Sequence, residues 1–306
     1  MEAFRLARII GGRLLSRGIV SSRCQTQPGC QPLPLLAQQK RGYAKEPRSY
    51  VIVERDPVHE EIAVVKLNRM PVNSLSQEFM TELNITLEKI ENNSSYRGII
   101  LTSANEGIFS AGLDITEMYQ KTPEYTSAFW RSLQEWWMRL YGTNLATVAA
   151  INGHSPAGGC LMAMSCDYRI MAEGKFTIGL NEVHLGIVAP FWFQDLMNRT
   201  FGERETEKAL QLGTLYKPDE ALKKGLVDET APLEEVLPKA REQLVRWLKI
   251  PDHARVITKE MRRKPLLDKL KAVQEDDIQF FSNFINKEAI QRSIGRYLES
   301  LKARAK

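Results

Sequence analysis

The sequence predicts an α/β fold that ends in a helical C-terminal region. Residues 98–102 and 147–151 are short, continuous apolar runs, which is typical of strands buried in a parallel sheet. Between them apolar side chains recur at helical spacing, and alternation of such strands with helices is characteristic of α/β proteins. In the last thirty residues apolar side chains again recur at intervals of three and four, so we expect helices with one apolar face there.

The chain ahead of the first buried strand is predicted to form a hairpin and a helix. Residues 50–54 and 61–67 have the composition of two short strands joined by a turn. Ser74, followed three positions later by Gln77, matches a capping box that starts a helix running to about Glu91. The helix between the two buried strands carries an apolar stripe that we interpret as core packing, formed by Phe129, Leu133, Trp136 and Leu140.

Residues 1–43 differ in charge from the rest of the chain. The 306-residue sequence has a net charge of +5, but this segment holds seven of the 42 basic residues and one of the 37 acidic residues. The remainder therefore has a net charge of −1. An Arg-rich, acid-poor start that contains serines is typical of a mitochondrial presequence, and a disordered basic tail is the alternative. The position of Arg41 predicts cleavage after Tyr43 and delivery to the mitochondrial matrix.

Composition argues against several classes of protein. No apolar run approaches the roughly 20 residues that span a bilayer, so we expect no integral membrane segment. The near-neutral body argues against a nucleic-acid partner, although residues 262–264 could form a local basic patch. We interpret Cys160 and Cys166 as buried thiols, and we expect no metal site because the histidines lack the spacing of metal ligands. The histidines are His59, His154, His184 and His253.

Two glycine-rich turns, at residues 107–115 and 152–161, follow the predicted buried strands. Small residues there allow a ligand to approach the backbone at the carboxyl end of a parallel strand. Either turn alone could be an ordinary connection between a strand and a helix. Together they can present one backbone N–H each to a single oxygen that develops negative charge. A further segment, residues 178–186, contains one acid, Glu182, which by itself could be a surface carboxylate.

Four motifs occur in order within residues 50–302. They are Asn68-Arg69 with Pro71 and Asn73-Ser74-Leu75-Ser76, then Phe109 to Ile115, then Asn152-Gly153 with Gly158-Gly159-Cys160, and finally Cys166 to Ile170. Together they resemble the motifs of the crotonase (enoyl-CoA hydratase/isomerase) superfamily. The resemblance implies a spiral of repeated ββα turns, acyl-coenzyme A thioester substrates, no separate cofactor because coenzyme A is part of the substrate, and a homotrimer or a dimer of trimers.

Together with the basic leader, the resemblance gives an expected division of the chain, and it also implies roles for single residues. The expected regions are a presequence at 1–43, a crotonase core at 44–250 and a C-terminal helical oligomerisation or lid region at 251–306. The N–H groups of Leu113 and Gly158 match the oxyanion-hole positions, and Gly158 is expected to open a helix whose dipole favours negative charge. Asn181 is among the expected substrate-binding residues, and a turn-forming role is the alternative for it. Those residues are Ala111, Gly112, Leu113, Asp114, Ile115, Gly158 and Asn181.

The sequence departs from the hydratase pattern at one position. Hydratases of the family have one glutamate two residues after the last glycine of the second turn and another about twenty residues later; here these positions hold Leu161 and Glu182. Since adding water to a double bond usually needs two carboxylates, hydration is disfavoured. A single base can instead carry a proton from the α to the γ carbon, which converts 3-cis- or 3-trans-enoyl-CoA into 2-trans-enoyl-CoA for β-oxidation of unsaturated fatty acids. We expect Glu182 to act first as base and then as acid, with a pKa raised by an apolar pocket.

Other interpretations stay open at the level of sequence. The chain could be an enoyl-CoA hydratase or another crotonase-type enzyme that uses a different base, or an RNA-binding homologue of the family. A Ser155–His184 pair has only its residue types in its favour. Lys66 and Arg69 could contact the phosphates of coenzyme A, but exposed basic side chains are common.

Overall fold

The computed structural model describes residues 49–304, so the predicted presequence lies outside the described residues. The strands within that range are β1 (Val51–Arg55), β2 (Ile62–Leu67), β3 (Gly98–Ser103), β4 (Gly107–Ile108), β5 (Ala146–Ile151), β6 (Gly153–Pro156), β7 (Tyr168–Ala172), β8 (Ile178–Gly179) and β9 (Glu229–Ala231). The α-helices are α1 (Gln77–Glu91), α2 (Pro123–Gly142), α3 (Gly158–Ser165), α4 (Phe191–Phe201), α5 (Glu203–Leu212), α6 (Pro218–Lys224), α7 (Val236–Leu248), α8 (Asp252–Ala272), α9 (Gln274–Ile285) and α10 (Glu288–Arg304). Short 3-10 helices occur at Ile115–Glu117, Glu182–Leu185 and Leu233–Glu235.

The strands form two sheets. The large sheet has six strands in the order β1-β2-β3-β5-β7-β9, and the small sheet has three in the order β4-β6-β8. β1 and β2 form the predicted antiparallel hairpin, and the other neighbouring strands are parallel. Three times in succession, a strand of the large sheet is followed by a strand of the small sheet and then by a helix: β3-β4-α2, β5-β6-α3 and β7-β8-α4. The predicted α/β class and the repeated ββα turns are therefore confirmed.

Both faces of the large sheet are covered. Helix α7 lies over one face, where Val64, Ile100 and Val148 pack in one cluster with Leu244. The opposite face belongs to a larger core that includes α1, α2 and α3. Because both faces are buried, the strands are apolar at consecutive positions, which is the pattern that identified β3 and β5 in the sequence.

Helix α1 ends at the predicted residue, Glu91, but it begins two residues later than a Ser74 cap implies and has a different capping residue. The hydroxyl of Ser76, rather than that of Ser74, accepts the hydrogen bond from the N–H of Phe79. The Ser74 hydroxyl instead accepts from the guanidinium of Arg69 and donates to Asp114. The capping-box prediction was therefore wrong by two residues, because Arg69 and Asp114 engage the first of the two serines.

The C-terminal region is helical, as predicted. Helix α8 starts two residues after the expected domain boundary at 250, and α9 and α10 follow it. Whether this region mediates oligomerisation or acts as a lid stays a prediction. Within residues 49–304, no helix combines the length and the apolar character that crossing a bilayer requires.

Candidate active site

Three connections leave the same edge of the small sheet. Strand β4 leads into the loop that contains Leu113, β6 leads into the turn that ends at Gly158, and β8 leads into the 3-10 helix that begins at Glu182. Since the three strands are parallel neighbours, their carboxyl ends lie at one edge of the sheet. The structure thus brings the three predicted catalytic residues to one region.

The loops that carry Leu113 and Gly158 are in direct contact. A Cβ atom built on Gly158 would lie 3.4 Å from the backbone nitrogen of Leu113, and one built on Gly112 would lie 2.9 Å from the backbone nitrogen of Gly158. Within the described residues, neither of these two N–H groups donates a hydrogen bond to the protein. Two adjacent main-chain donors are therefore available to one acceptor, as an oxyanion hole requires.

The residue before Gly158 has an unusual backbone conformation. Ala157 has φ 50° and ψ −121°, a region that side chains other than glycine rarely adopt, and such conformations cost on the order of 1–3 kcal/mol. The N–H of Ala157 donates to the carbonyl oxygen of Gly179 at 2.8 Å, which ties the turn to β8. Helix α3 starts at the next residue without a side-chain cap, so its first N–H groups and the positive end of its dipole are left for a ligand.

Glu182 is a buried carboxylic acid without a protein partner. The residue is 9% exposed, and within the described residues neither carboxylate oxygen has a hydrogen-bond partner. Removal from water raises the pKa of Glu182 to about 7. Burial also raises the pKa of the Cys160 thiol, and the charge of Glu182 raises it further. The carboxylate therefore lies towards α3, the helix whose first residue is Gly158.

Glu182 lines a cavity of about 240 Å³ between its 3-10 helix and α5. A second cavity of about 430 Å³ shares Val188, Ala189 and Gln194 with the first. Its remaining wall is largely apolar and includes Trp130, Phe191, Phe280, Phe281 and Phe284. Sequence reasoning missed this lining, because the only signal was the helical spacing of aromatic residues, which indicated core packing alone.

The loop of residues 111–115 is held by polar contacts at its end. The guanidinium of Arg69 lies 2.8 Å from the carboxylate of Asp114, which also accepts hydrogen bonds from the N–H and the hydroxyl of Thr116. Burial opposes ionisation of Asp114, but the hydrogen bonds from Thr116 and the charge of Arg69 hold its pKa below the usual range. Both candidates for contacting the coenzyme A phosphates therefore pair with carboxylates of the protein: Arg69 with Asp114, and Lys66 with Glu54 at 2.6 Å. Ala111, Gly112, Leu113 and Ile115 complete this predicted coenzyme A loop.

The remaining residues singled out in the sequence make ordinary structural contacts or lie in the core. The ring Nε2 of His184 contacts the carbonyl oxygen of Leu212 at 3.0 Å, and the buried Ser155 hydroxyl has no partner within the described residues, so a Ser155–His184 pair is not formed. Asn181 is half-buried and accepts a hydrogen bond from the N–H of His184, which is a turn contact. Leu161 is buried and apolar at 1% exposure. The described residues contain no group of three or more acidic, histidine or cysteine side chains that could hold a metal ion.

Known proteins resemble this chain in sequence and in fold. A sequence profile of the enoyl-CoA hydratase/isomerase family matches residues 58–306. The chain belongs to this family. "Enoyl-CoA delta isomerase 1, mitochondrial" of Mus musculus is 57% identical over 242 residues, which is 79% of this chain and 84% of the relative. The Homo sapiens protein of the same name is 51% identical over 253 residues, which is 82% of this chain and 83% of the relative.

A solved structure of the same family resembles the fold. The crystal structure of human mitochondrial delta3-delta2-enoyl-CoA isomerase matches with a TM-score of 0.82 at 50% identity, over 84% of this chain and 99% of that chain. The predicted membership of the hydratase/isomerase family and the predicted crotonase-like spiral are both confirmed.

Proposed function

We propose that this member of the hydratase/isomerase family is an enoyl-CoA delta isomerase that converts 3-cis- and 3-trans-enoyl-CoA into 2-trans-enoyl-CoA in β-oxidation of unsaturated fatty acids. The observation that carries the proposal is Glu182, a buried carboxylic acid whose oxygens have no hydrogen-bond partner among residues 49–304 and whose pKa is about 7. A base whose pKa lies near the working pH transfers protons most efficiently in both directions.

The reaction needs one base and one site for negative charge. The carboxylate of Glu182 takes a proton from the carbon α to the thioester, and the C3=C4 bond becomes part of a dienolate whose charge lies on the thioester oxygen. The N–H groups of Leu113 and Gly158 donate to that oxygen; each such donor contributes on the order of 3 kcal/mol to stabilisation of the transition state. The protonated Glu182 then returns the proton to the γ carbon, which leaves a C2=C3 bond and restores the carboxylate.

Two further features support this substrate and this reaction. Leu161 occupies the position of the first glutamate of hydratases, so the site has an apolar wall where water would have to be held. The large aromatic cavity that adjoins the cavity of Glu182 suits an aliphatic acyl chain, because burial of methylene groups is favourable by about 0.8 kcal/mol each.

The proposal extends to location and assembly. The relatives at 51–57% identity are named as mitochondrial proteins, and the Arg-rich leader suits import, so we propose the mitochondrial matrix as the site of action. We further propose a homotrimer that uses no cofactor beyond the coenzyme A of its substrate. A nucleic-acid partner is not part of the proposal, because two of the three basic side chains at 262–264 pair with carboxylates: Arg263 with Asp167 and Lys264 with Asp268.

The deciding experiment compares wild type with Glu182→Gln in the conversion of 3-enoyl-CoA to the conjugated thioester, followed by ultraviolet absorbance. We expect kcat to fall by about 10³-fold or more with the fold retained, since no other base replaces the carboxylate. The matched control is Glu207→Gln, because Glu207 lines the same cavity but is exposed and pairs with Arg204. Equal turnover by wild type and Glu182→Gln would refute the proposed role.

A second assay separates isomerase from hydratase. We expect the wild-type protein to hydrate crotonyl-CoA poorly, since Leu161 leaves the site with one carboxylate. Efficient hydration of crotonyl-CoA together with slow isomerisation would assign the chain to the hydratases instead.

A further inference from the structure

Helix α8 is joined to the core by two basic side chains that meet a buried carboxylate. Asp167 lies between α3 and β7, and its two oxygens contact Lys259 Nζ at 2.9 Å and Arg263 Nη2 at 2.7 Å. The three side chains are only 9–13% exposed. Asp167 also accepts from the N–H of Thr147 at the start of β5, so this cluster fixes α8 to the sheet.

Arg263 has a second set of contacts. Its Nη1 donates to the carbonyl oxygen of Ser165 at 2.9 Å and to that of Tyr141 at 2.8 Å. Ser165 is the last residue of α3, and Tyr141 is in the last turn of α2. A cation at the C-terminus of a helix satisfies free carbonyl groups and complements the helix dipole. Within residues 49–304, one other side chain outside α3 donates to a backbone carbonyl of this helix: the thiol of Cys166, the next residue, contacts the carbonyl oxygen of Met162 at 3.6 Å.

Helix α3 connects this contact to the site. It has eight residues, hence a length of about 12 Å, and every residue in it is buried. At its C-terminus the carbonyl oxygen of Ser165 accepts a hydrogen bond from Arg263, and at its N-terminus lies the N–H of Gly158. Since packed interiors transmit displacement rather than absorb it, a shift of α3 at one end moves the other.

We propose that Arg263 is a positioning residue for the oxyanion hole: by holding the C-terminus of α3, it sets the place of the Gly158 N–H at the opposite end of that helix. The inference rests on the proposed function, because it takes that N–H to be a donor to the thioester oxygen. Helix α8 thereby contributes to catalysis without touching the substrate.

The test compares three variants. Arg263→Met keeps an aliphatic stem but removes the donors. Arg263→Lys keeps the charge but has one nitrogen, whereas Arg263 contacts the two carbonyls through Nη1 and Asp167 through Nη2 at the same time. The control is Asp252→Asn, because Asp252 ties the start of α8 to Arg97 at 2.8 Å and has no contact with α3. We expect Arg263→Met to lower kcat about tenfold with KM within twofold of wild type, since a displacement of 1 Å can cost about 100-fold. We expect the kcat of Arg263→Lys to lie between those of wild type and Arg263→Met, and the kcat of Asp252→Asn to equal that of wild type.

The absorbance of a bound ligand measures hydrogen bonding by the two main-chain N–H groups independently of turnover. A conjugated 2,4-dienoyl-CoA bound at the site shifts its absorbance to longer wavelength when main-chain donors polarise the thioester carbonyl. We expect this red shift in wild type and in Asp252→Asn, a smaller shift in Arg263→Lys, and the smallest in Arg263→Met. If Arg263→Met does not fold, the graded loss in Arg263→Lys carries the test.

Each outcome has a distinct meaning. A wild-type kcat and a full red shift in both Arg263 variants, or an equal loss in Asp252→Asn, would overturn the positioning role and leave the proposed function intact. A red shift in wild type without isomerisation would refute the proposed function, while the variants would still test Arg263 by the shift. No red shift in wild type would overturn both.

Discussion

At the scale of single residues, the site depends on the environment of Glu182. Spacing within the motif identifies this residue in the sequence, but its protonation behaviour depends on burial by the 3-10 helix and its neighbours. Both oxygens lack a hydrogen-bond partner within the described residues, so the cost of removal from water is offset only weakly, by the backbone N–H of Glu182 itself. The free energy of that burial appears as a raised pKa.

The raised pKa of Glu182 gives a pH dependence of catalysis. The carboxylate is the active form, so kcat/KM should rise tenfold per pH unit below pH 7 and level off above it, because the pKa of Glu182 in the free protein is about 7. The measurement is kcat/KM for 3-enoyl-CoA from pH 5 to pH 9. A profile that is flat down to pH 5 contradicts the assignment.

The same pKa affects stability. Glu182 has a folded pKa of about 7 against an ordinary value of 4.5, so between these values the folded state holds a proton that the unfolded state releases. Stability due to this group is present below pH 4.5 and is lost as the pH rises to 7, by roughly 3 kcal/mol. Urea unfolding of Glu182→Gln should therefore show little difference from wild type at pH 4.5 and a gain in unfolding free energy at pH 8. An equal difference at both pH values argues against a buried, ionising Glu182.

At the scale of elements, the oxyanion region depends on close contact between two loops. Gly112 has φ 86°, and a Cβ atom there would lie 2.8 Å from the Cβ of Ala157 and 2.9 Å from the backbone nitrogen of Gly158. Backbone cannot move aside as the tip of a flexible side chain does. An added methyl group must therefore push the two N–H donors apart.

We expect Gly112→Ala to lower kcat by about 100-fold, since misplacement of a catalytic group by about 1 Å has this effect. The control is Gly107→Ala: Gly107 has a matching φ of 87°, but no atom lies within 4 Å of its added Cβ. Both variants carry the backbone strain of an alanine at positive φ, and only the first disturbs the amides. Steady-state kinetics of the pair separates strain from displacement, and equal kcat values would contradict the close-contact argument.

The elements differ in how far the sequence predicts them. β3 and β5 were predicted to within one residue, because burial on both faces makes them continuous apolar runs. Strands β4 and β8 have two residues each, too few for any periodic pattern, so the sequence did not predict them. The two glycine turns were placed together from their positions after the buried strands and from the family resemblance. The predicted cap of α1 was wrong because Ser74 and Ser76 are both possible capping residues. Ser74 is hydrogen-bonded to Arg69 and Asp114 instead, and Asp114 is brought near only by the tertiary structure.

At the scale of the whole molecule, the α7 cluster and the candidate site lie on different faces of the large sheet. Helix α7 covers one face, and the small sheet with its three site loops belongs to the core on the other side. Substitution of buried residues in α7 should therefore change the free energy of unfolding without altering the geometry of the candidate site.

We expect Leu244→Ala to lower the free energy of unfolding by about 2–5 kcal/mol, because Leu244 is fully buried against β3 and truncation leaves a cavity. Its kcat at 25 °C should stay within twofold of wild type. Leu222→Ala, at a leucine that is 41% exposed, is the control and should alter neither quantity. Chemical denaturation and kinetics on the same preparations check this, and a large loss of kcat in Leu244→Ala contradicts the separation of faces.

In the proposed mechanism, two of the three catalytic groups are main-chain amides, and this has a genetic consequence. Substitution of Leu113 by other residues leaves its amide in place, and only proline deletes it. Inactivating missense alleles should therefore gather at the Glu182 codon and at conformationally constrained positions such as Gly112. Position 113 should tolerate a broad range of amino acids, although we propose that its amide stabilises the charge.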